Sequence, residues 1–276
     1  MKRPKAAMPM DVFRGAVDQF AALGPGDVDL TPIVGDPFAD KLLFERLDYL
    51  FGKPEVRRFH FYTNAILLGQ DRAERLMKYG GRFSIFCSFG GFDRETYRRI
   101  MGVDKFEEAA RAIRGLIEAK IRTGSSIRVQ VNLRVPPGSE GGEFWSYLLR
   151  RREEGAITVD GVSRFDNWGG KIAPETLTAA GLSPLPAPAH RGPCRRLLTG
   201  PTVLSDGRVN ACCCRDVEAT LIIGNLKRES LREILAGAAL KNLIARHERG
   251  DFPEICRACT KYQSLRDGVR DESWNG

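Results

Sequence analysis

The sequence predicts an α/β fold in which a partial β/α barrel is followed by a small cysteine-rich α+β domain. Helical and strand patterns alternate over the first 165 residues, which favours a parallel sheet with crossover helices. These segments contain no glycine-rich dinucleotide-binding fingerprint, so a partial barrel fits them better than a dinucleotide fold. Six of the seven cysteines lie in the last third of the chain, which sets that part apart.

The periodicity of apolar residues defines the elements of the first part. Residues 11–23 place Phe13, Val17 and Phe20 on one helical face, and Gly24 supplies a C-cap. Residues 94–123 predict either one broken helix or two adjacent helices. The other predicted helices are 41–51, 70–79 and 142–155, and the predicted strands are 27–33, 57–64, 82–89, 126–135 and 157–165.

A proline-rich stretch marks the predicted domain boundary. Residues 172–193 contain five prolines and little periodicity, so they are expected to be a linker between a barrel at 1–171 and a second domain at 194–276. The second domain begins with a hairpin that turns at Asp206 and Gly207. A helix over 229–250 and a loop with a C-x-x-C pair follow.

Composition bounds the function. The chain has 276 residues, of which 42% are apolar, and no apolar run is long enough for a membrane helix. Its first residues lack the apolar core of a signal peptide, so a cytoplasmic globular protein without a membrane partner is expected. The net charge is +8, but basic residues alternate with acidic ones, as in RRREE at 150–154. Nucleic acid is therefore not an expected partner.

The cysteines of the last third have the spacing of a metal site. Cys256 and Cys259 form the C-x-x-C pair, while Cys194 and Cys212 flank the hairpin, whose two ends meet in space. Four thiolates hold either an iron–sulfur cluster or a zinc ion, and the sequence leaves both open. Cys212, Cys213 and Cys214 cannot all point the same way, so Cys214 is an alternative to Cys212. Buried structural cysteines are the competing interpretation.

These residues resemble the SPASM domain of radical S-adenosylmethionine (SAM) enzymes. That motif begins C-x(9–15)-G-x4-C, which Cys194, Gly207 and Cys212 match, and it continues with C-x-x-C, matched by Cys256 and Cys259. The segment IIGNLKRESLREIL resembles the motif's middle part. The resemblance implies one auxiliary [4Fe–4S] cluster. Further cysteines of the full pattern are replaced by Leu265 and Val269, so at most one such cluster is expected.

The first part also resembles these enzymes. LTPIVGDPFAD is similar to the segment whose G-E-P version meets the amino group of SAM, FYTNAILL to the T-N-G segment, and FCSFGGFDRETYRRIMG to the next strand and helix. SRFDNWGGKI resembles the exit from the barrel. The residues expected on the SAM side are Gly35, Asp36, Pro37, Asn64, Ser88 and Arg134.

Each of these residues also has a plainer interpretation. Asp36 is equally consistent with a loop aspartate before a proline. Asn64 favours a turn, and Arg134 fits a salt bridge at the barrel rim as well as a grip on a carboxylate. Cys87 precedes Ser88 on a strand and is expected to be a packed thiol. The sequence names no catalytic residue.

One feature of these enzymes is missing from the sequence. No C-x3-C-x2-C motif occurs, and Cys87 is the only cysteine before Cys194. Because the SAM-side segments are intact, the expectation is an N-terminally truncated form of an enzyme that generates a 5′-deoxyadenosyl radical. SAM is then a cofactor only if the missing cluster loop is supplied. The alternative is a non-catalytic iron–sulfur or zinc protein with a degenerate barrel.

The resemblance also implies partners. A radical SAM enzyme of this type would modify a peptide, a protein or a small substrate, and it would take electrons from a donor such as ferredoxin or flavodoxin. The sequence does not identify the substrate, because such enzymes differ in the loops that line their pockets.

Overall fold

A five-stranded parallel sheet forms the centre of the first part of the molecule. The computed structural model describes residues 2–3, 6–135, 138–162, 164–213 and 215–265. The strand order is β1-β2-β3-β4-β5, and every neighbouring pair is parallel, as the alternation of helices and strands predicts. The strands are β1 (Gly26–Asp29), β2 (Val56–Thr63), β3 (Phe83–Phe89), β4 (Arg128–Leu133) and β5 (Thr158–Gly161).

The two faces of this sheet differ in chemistry because side chains alternate along each strand. Phe61 and Ile85 lie side by side on the face that packs under the helices, and both are completely buried. The opposite face carries polar side chains. His60 in β2, Ser88 in β3 and Asn132 in β4 are all buried there. The sheet therefore has an apolar outer face and a polar inner face, as a barrel with an internal site requires.

One helix precedes the first strand, and the other helices of this part lie between consecutive strands. Gly102 has a left-handed backbone (φ +73°) and ends one helix just before the next, so the pattern over 94–123 is two helices. Short 3-10 helices occur at Pro37–Ala39 and Met77–Arg82. The α-helices are α1 (Met10–Ala21), α2 (Leu43–Phe51), α3 (Gln70–Leu76), α4 (Arg94–Met101), α5 (Phe106–Thr123) and α6 (Gly142–Glu153).

The proline-rich stretch has structure of its own. Strand β6 (Arg164–Phe165) pairs in parallel with β7 (Ser183–Pro184), and α7 (Pro174–Ala179) lies between them. Pro174 occupies the first turn of α7, where its missing N–H costs no hydrogen bond. The prolines at 172–193 thus include a helix start, which a low-periodicity stretch did not indicate.

The C-terminal part is built on a three-stranded antiparallel sheet. The predicted hairpin is present as β8 (Thr202–Val203) and β9 (Arg208–Asn210), and β10 (Ile222–Asn225) pairs with β9 as a third strand. Helix α8 (Arg196–Thr199) precedes the hairpin. A second core forms around this sheet, with Val209, Ile223 and Ile234 buried in it.

The helix predicted over 229–250 is two helices. α9 (Leu231–Ala236) and α10 (Ala238–Glu248) are separated by Gly237, whose backbone is extended. A Cβ on Gly237 would lie 3.0 Å from the Glu233 carbonyl oxygen, so the glycine permits the break. The last helix, α11 (Glu254–Ala258), carries Cys256. Among the helices of the described residues, none has the length and apolarity that crossing a membrane demands.

Candidate functional site

Three of the predicted SAM-side residues lie at the carboxyl ends of neighbouring strands. Asn64 follows β2 directly, Ser88 is the next-to-last residue of β3, and Arg134 follows β4. The backbone N–H of Arg134 donates to the Phe89 carbonyl at 2.8 Å, which extends the pairing of β3 and β4 to this edge. In barrel enzymes this is the edge where the chemistry takes place.

Asp36 connects the loop after β1 to the end of β2. One carboxylate oxygen accepts the backbone N–H of Phe38 at 2.9 Å, which caps the short helix at 37–39. The other accepts the Thr63 hydroxyl at 2.7 Å and the Asn64 backbone N–H at 3.1 Å. A carboxylate has about four acceptor sites, so three are used and about one is left for a further donor.

The neighbours of Asp36 shape the same loop. Gly35 is exposed and has a positive φ of +119°, which an L side chain rarely adopts, and Pro37 is buried in the first turn of the short helix. Asn64 accepts the backbone N–H of Ile66 at 3.0 Å, which is the turn geometry expected of an asparagine at this place. The loop therefore reaches the strand ends through backbone groups and one carboxylate.

Arg134 lies where the inner face of the barrel meets the C-terminal part. Burial lowers the pKa of its guanidinium, the nearby charge of Arg215 lowers it further, and Asp166 opposes both effects. On the inner face, burial raises the pKa of Tyr62 to about 12, while the charges of Arg134 and of Arg196 in α8 lower it. The Tyr62 hydroxyl is buried and has no hydrogen-bond partner among the described residues. This junction therefore brings cations of both parts to one place.

The four predicted metal ligands line one cavity. Cys194, Cys212, Cys256 and Cys259 surround it together with the apolar side chains of Leu197, Ala211, Leu221 and Ile255. Cys194, Cys256 and Cys259 are buried and Cys212 is half-buried, and all four are free thiols. The hairpin places Cys212 near Cys194, and α11 carries the C-x-x-C pair to the same end.

The surroundings of these thiols favour their neutral form. Burial raises the pKa of Cys256, and the other three cysteines add to this effect. Burial raises the pKa of Cys259 to about 11, while the backbone N–H of Lys261 and the charge of Arg215 lower it. For Cys194, burial raises the pKa and the backbone groups of Gln263 and Arg196 lower it. Metal ions would have to displace these protons.

Cationic side chains border the cavity. Arg196, Arg215 and Lys261 all contribute to its lining. Four thiolates bound to metal carry a net negative charge, and three cations around a buried anionic centre reduce the cost of burying it. The charge pattern is therefore complementary to a metal–thiolate centre.

A segment at the exit of the barrel clamps the C-x-x-C loop. The Asn167 side chain donates to the Ala258 carbonyl at 2.7 Å, and its backbone N–H donates to the Thr260 hydroxyl at 2.9 Å. Gly169 and Gly170 allow close packing here. A Cβ on Gly169 would lie 2.5 Å from Ile255, and one on Gly170 would lie 2.7 Å from Ala258. The segment 166–170 thus fixes α11 against the barrel.

The remaining cysteines are not part of the cavity lining, as far as the structure describes them. Cys87 is completely buried in the main core, and burial raises the pKa of its thiol to about 12. Cys213 lies 3.5 Å from an Arg196 guanidinium nitrogen. Cys214, the alternative to Cys212, lies outside the described residues.

Asp166 and the three cations of the cavity were not among the site residues predicted from the sequence. Asp166 binds Arg215 through both carboxylate oxygens, at 2.5 and 2.6 Å. The only signal for this pair was the aromatic and glycine-rich exit segment around Trp168. An arginine near cysteines has no recognisable spacing, and it was found only from the structure.

Comparisons with known proteins agree with this architecture. The family model of the radical SAM superfamily matches residues 2–139, which is half of the chain, and that of the SPASM iron–sulfur cluster-binding domain matches residues 194–260. GTP 3′,8-cyclase from Pasteurella multocida (strain Pm70) is 27% identical over 126 residues, or 45% of this chain. The matched region spans 36% of the length of that relative.

Solved structures show the same fold at low sequence identity. The structure of BtrN in complex with AdoMet and 2-DOIA matches with a TM-score of 0.58 and 15% identity, over 93% of this chain and 82% of BtrN. SuiB from Streptococcus suis, bound to precursor peptide SuiA, matches with a TM-score of 0.61 and 15% identity, over 88% of this chain and 61% of SuiB. The structure of anSMEcpe with bound AdoMet gives 0.55 and 14%, over 95% and 79%.

The two family matches cover the parallel sheet and the cysteine-rich part in the order in which the residues predict them. These families are defined by iron–sulfur clusters and by SAM binding. The chain belongs to the radical SAM superfamily and carries an iron–sulfur cluster-binding SPASM domain.

Proposed function

We propose that Cys194, Cys212, Cys256 and Cys259 hold one auxiliary [4Fe–4S] cluster. The observation that carries this proposal is that the four thiols line a single cavity at the end of the barrel. The cavity is otherwise apolar and cationic, which suits a buried anionic centre. Cysteine thiolates in sets of four are the usual ligands of such clusters.

The family match favours a cluster over zinc. The SPASM model that matches residues 194–260 describes an iron–sulfur cluster-binding domain, and all four cysteines lie within that range. Four thiolates would also be a complete ligand set for one zinc ion, so metal analysis distinguishes the two.

Single Cys→Ser variants test the ligand set. After anaerobic reconstitution with iron and sulfide, the wild type should show broad visible absorption from sulfur-to-iron charge transfer. Cys194→Ser, Cys212→Ser, Cys256→Ser and Cys259→Ser should each lose at least half of it. The matched controls are Cys87→Ser and Cys213→Ser, which should keep it. Equal loss in ligand and control variants, or no loss in any, would contradict the assignment.

We further propose that the carboxyl edge of the sheet is the SAM side of the enzyme. The residues proposed for this side end neighbouring strands or lie in the segments that follow them: Gly35, Asp36, Pro37, Asn64, Ser88 and Arg134. Asp36 keeps about one acceptor site for a donor such as an ammonium group. SAM bound at this edge with a cluster of its own would supply a 5′-deoxyadenosyl radical for the abstraction of hydrogen from a substrate. Residues 1–276 contain no C-x3-C-x2-C motif, so this proposal requires that such a loop be supplied.

The proteins to which the chain is similar support two substrate classes. A peptide or protein substrate is supported by the likeness to SuiB, which was solved with its precursor peptide. BtrN, with 2-DOIA, and GTP 3′,8-cyclase keep a small substrate open. A low-potential donor such as ferredoxin or flavodoxin would supply the electrons, in the cytoplasm. Formation of 5′-deoxyadenosine from SAM under reductant, once the cluster loop is supplied, tests this part.

A non-catalytic iron–sulfur or zinc protein is the second candidate. It is favoured by Cys87, which is the only cysteine before Cys194 and is completely buried under the helices. The barrel part of the chain therefore offers no accessible thiol for a second cluster. A loaded auxiliary site that yields no 5′-deoxyadenosine after the loop is supplied would establish this candidate.

A further inference from the structure

We infer that Arg215 is a positioning residue that raises the reduction potential of the auxiliary cluster, and that Asp166 and Trp168 hold it in place. This inference rests on the cluster assignment proposed above. It concerns a charged side chain that contacts the barrel exit and also lines the cysteine cavity.

Arg215 is fixed from the barrel side. Its guanidinium forms a two-pronged ion pair with Asp166, at 2.5 and 2.6 Å, and both side chains are only about a tenth exposed (11% and 12%). The Trp168 ring lies against the same guanidinium, 4.4 Å from ring centroid to Cζ. The Trp168 backbone N–H in turn donates to Asp166 at 2.8 Å. A planar guanidinium held at its edge and on its face has little freedom to move.

The same side chain is directed at the cluster site. Arg215 contributes to the lining of the same cavity that Cys194, Cys212, Cys256 and Cys259 line. The site is buried, so water screens this charge poorly. Arg215 therefore acts electrostatically on whatever the four thiols bind.

Asp166 interacts with a second cation besides Arg215. Burial lowers the pKa of Arg134, the charge of Arg215 lowers it further and the charge of Asp166 raises it, so the three groups act on one another. Arg196 and Lys261 also line the cavity.

The charge of Arg215 changes the reduction potential of the cluster in one direction. If the four thiolates hold a cluster, its reduction by one electron from an external reductant would add one unit of negative charge, with no bond formed or broken. A nearby cation stabilises the reduced form more than the oxidised form. Arg215 should therefore raise the potential, and Asp166 should moderate that effect.

The test measures the midpoint potential of reconstituted full-length protein, titrated with dithionite and followed by visible absorption and EPR. Arg215→Gln should lower the reduced-to-oxidised ratio at the wild-type midpoint about tenfold, which for one electron is 59 mV. Asp166→Asn keeps the charge of Arg215 and removes its partner, so it should shift the midpoint upward. Arg215→Lys should remain near the wild type. The matched control is Arg208→Gln, which removes an exposed arginine paired with Asp206 at 2.7 Å.

The opposite signs separate electrostatics from loosened structure. If both Arg215→Gln and Asp166→Asn shift the midpoint the same way, or if Arg215→Gln matches Arg208→Gln, the inference is overturned while the cluster assignment stands. If Arg215→Gln does not bind iron, its midpoint potential cannot be measured. An unshifted or lowered midpoint potential in Asp166→Asn then overturns the inference. A wild type without iron and sulfide overturns the cluster assignment and this inference together.

Discussion

Replacement of Asp36 by alanine would test whether this carboxylate organises the carboxyl edge of the sheet. The side chain accepts three hydrogen bonds, from the Phe38 N–H, the Thr63 hydroxyl and the Asn64 N–H. Each such bond contributes about 1 kcal/mol net, so the variant should lose about 3 kcal/mol of unfolding free energy. With a urea m-value of about 3 kcal/mol/M, the midpoint should fall by about 1 M.

The assay is urea unfolding of the metal-free protein, followed by far-UV circular dichroism. Asp36→Asn keeps one acceptor oxygen and should lose less stability than Asp36→Ala. Asp71→Ala, at an exposed aspartate in the first turn of α3, is the control and should change the midpoint little. If Asp36→Ala lies within 0.5 kcal/mol of that control, a margin at the low end of a single net hydrogen bond, the three bonds add no stability and the reasoning is refuted.

Three further predictions concern other parts of the chain. Gly224→Ala should destabilise the C-terminal domain by about 1–3 kcal/mol, because a Cβ would lie 2.5 Å from the buried Ile234; an unchanged thermal midpoint would contradict this. Ser230→Ala should cost about 1 kcal/mol by removing the capping box of α9, measured by urea unfolding, and Ser230→Asp should restore most of it. Burial lowers the pKa of His60, so below about pH 6.5 the unfolded chain binds more protons and stability should fall as the pH falls. His60→Gln should flatten this dependence between pH 8 and pH 5.5, and an equal slope in both proteins would exclude His60 as its source.

Local patterns in the sequence were sufficient to predict the main architecture. Alternating apolar segments predicted all five strands of the parallel sheet, and Asp206 with Gly207 predicted the hairpin. Element ends were harder to predict because tertiary contacts decide them. Gly237 divides the last long helix, and the predicted strand at 157–165 is two strands, β5 and β6.

The candidate site was predictable to the extent that spacing carries information. The hairpin and the C-x-x-C pair are local features, so the sequence was sufficient to predict one shared site for four cysteines: Cys194, Cys212, Cys256 and Cys259. The clamp between Asn167 and α11 joins residues about ninety positions apart in the chain. Such a contact leaves no periodic signal. The same holds for Arg215, whose partner Asp166 lies at a distant sequence position.

Whether four cysteines hold an iron–sulfur cluster is decided by the content of iron, sulfide and zinc per chain. After anaerobic reconstitution, we expect about four irons with matching sulfide in the wild type and a loss of both in Cys256→Ala. About one zinc per chain without sulfide would contradict it.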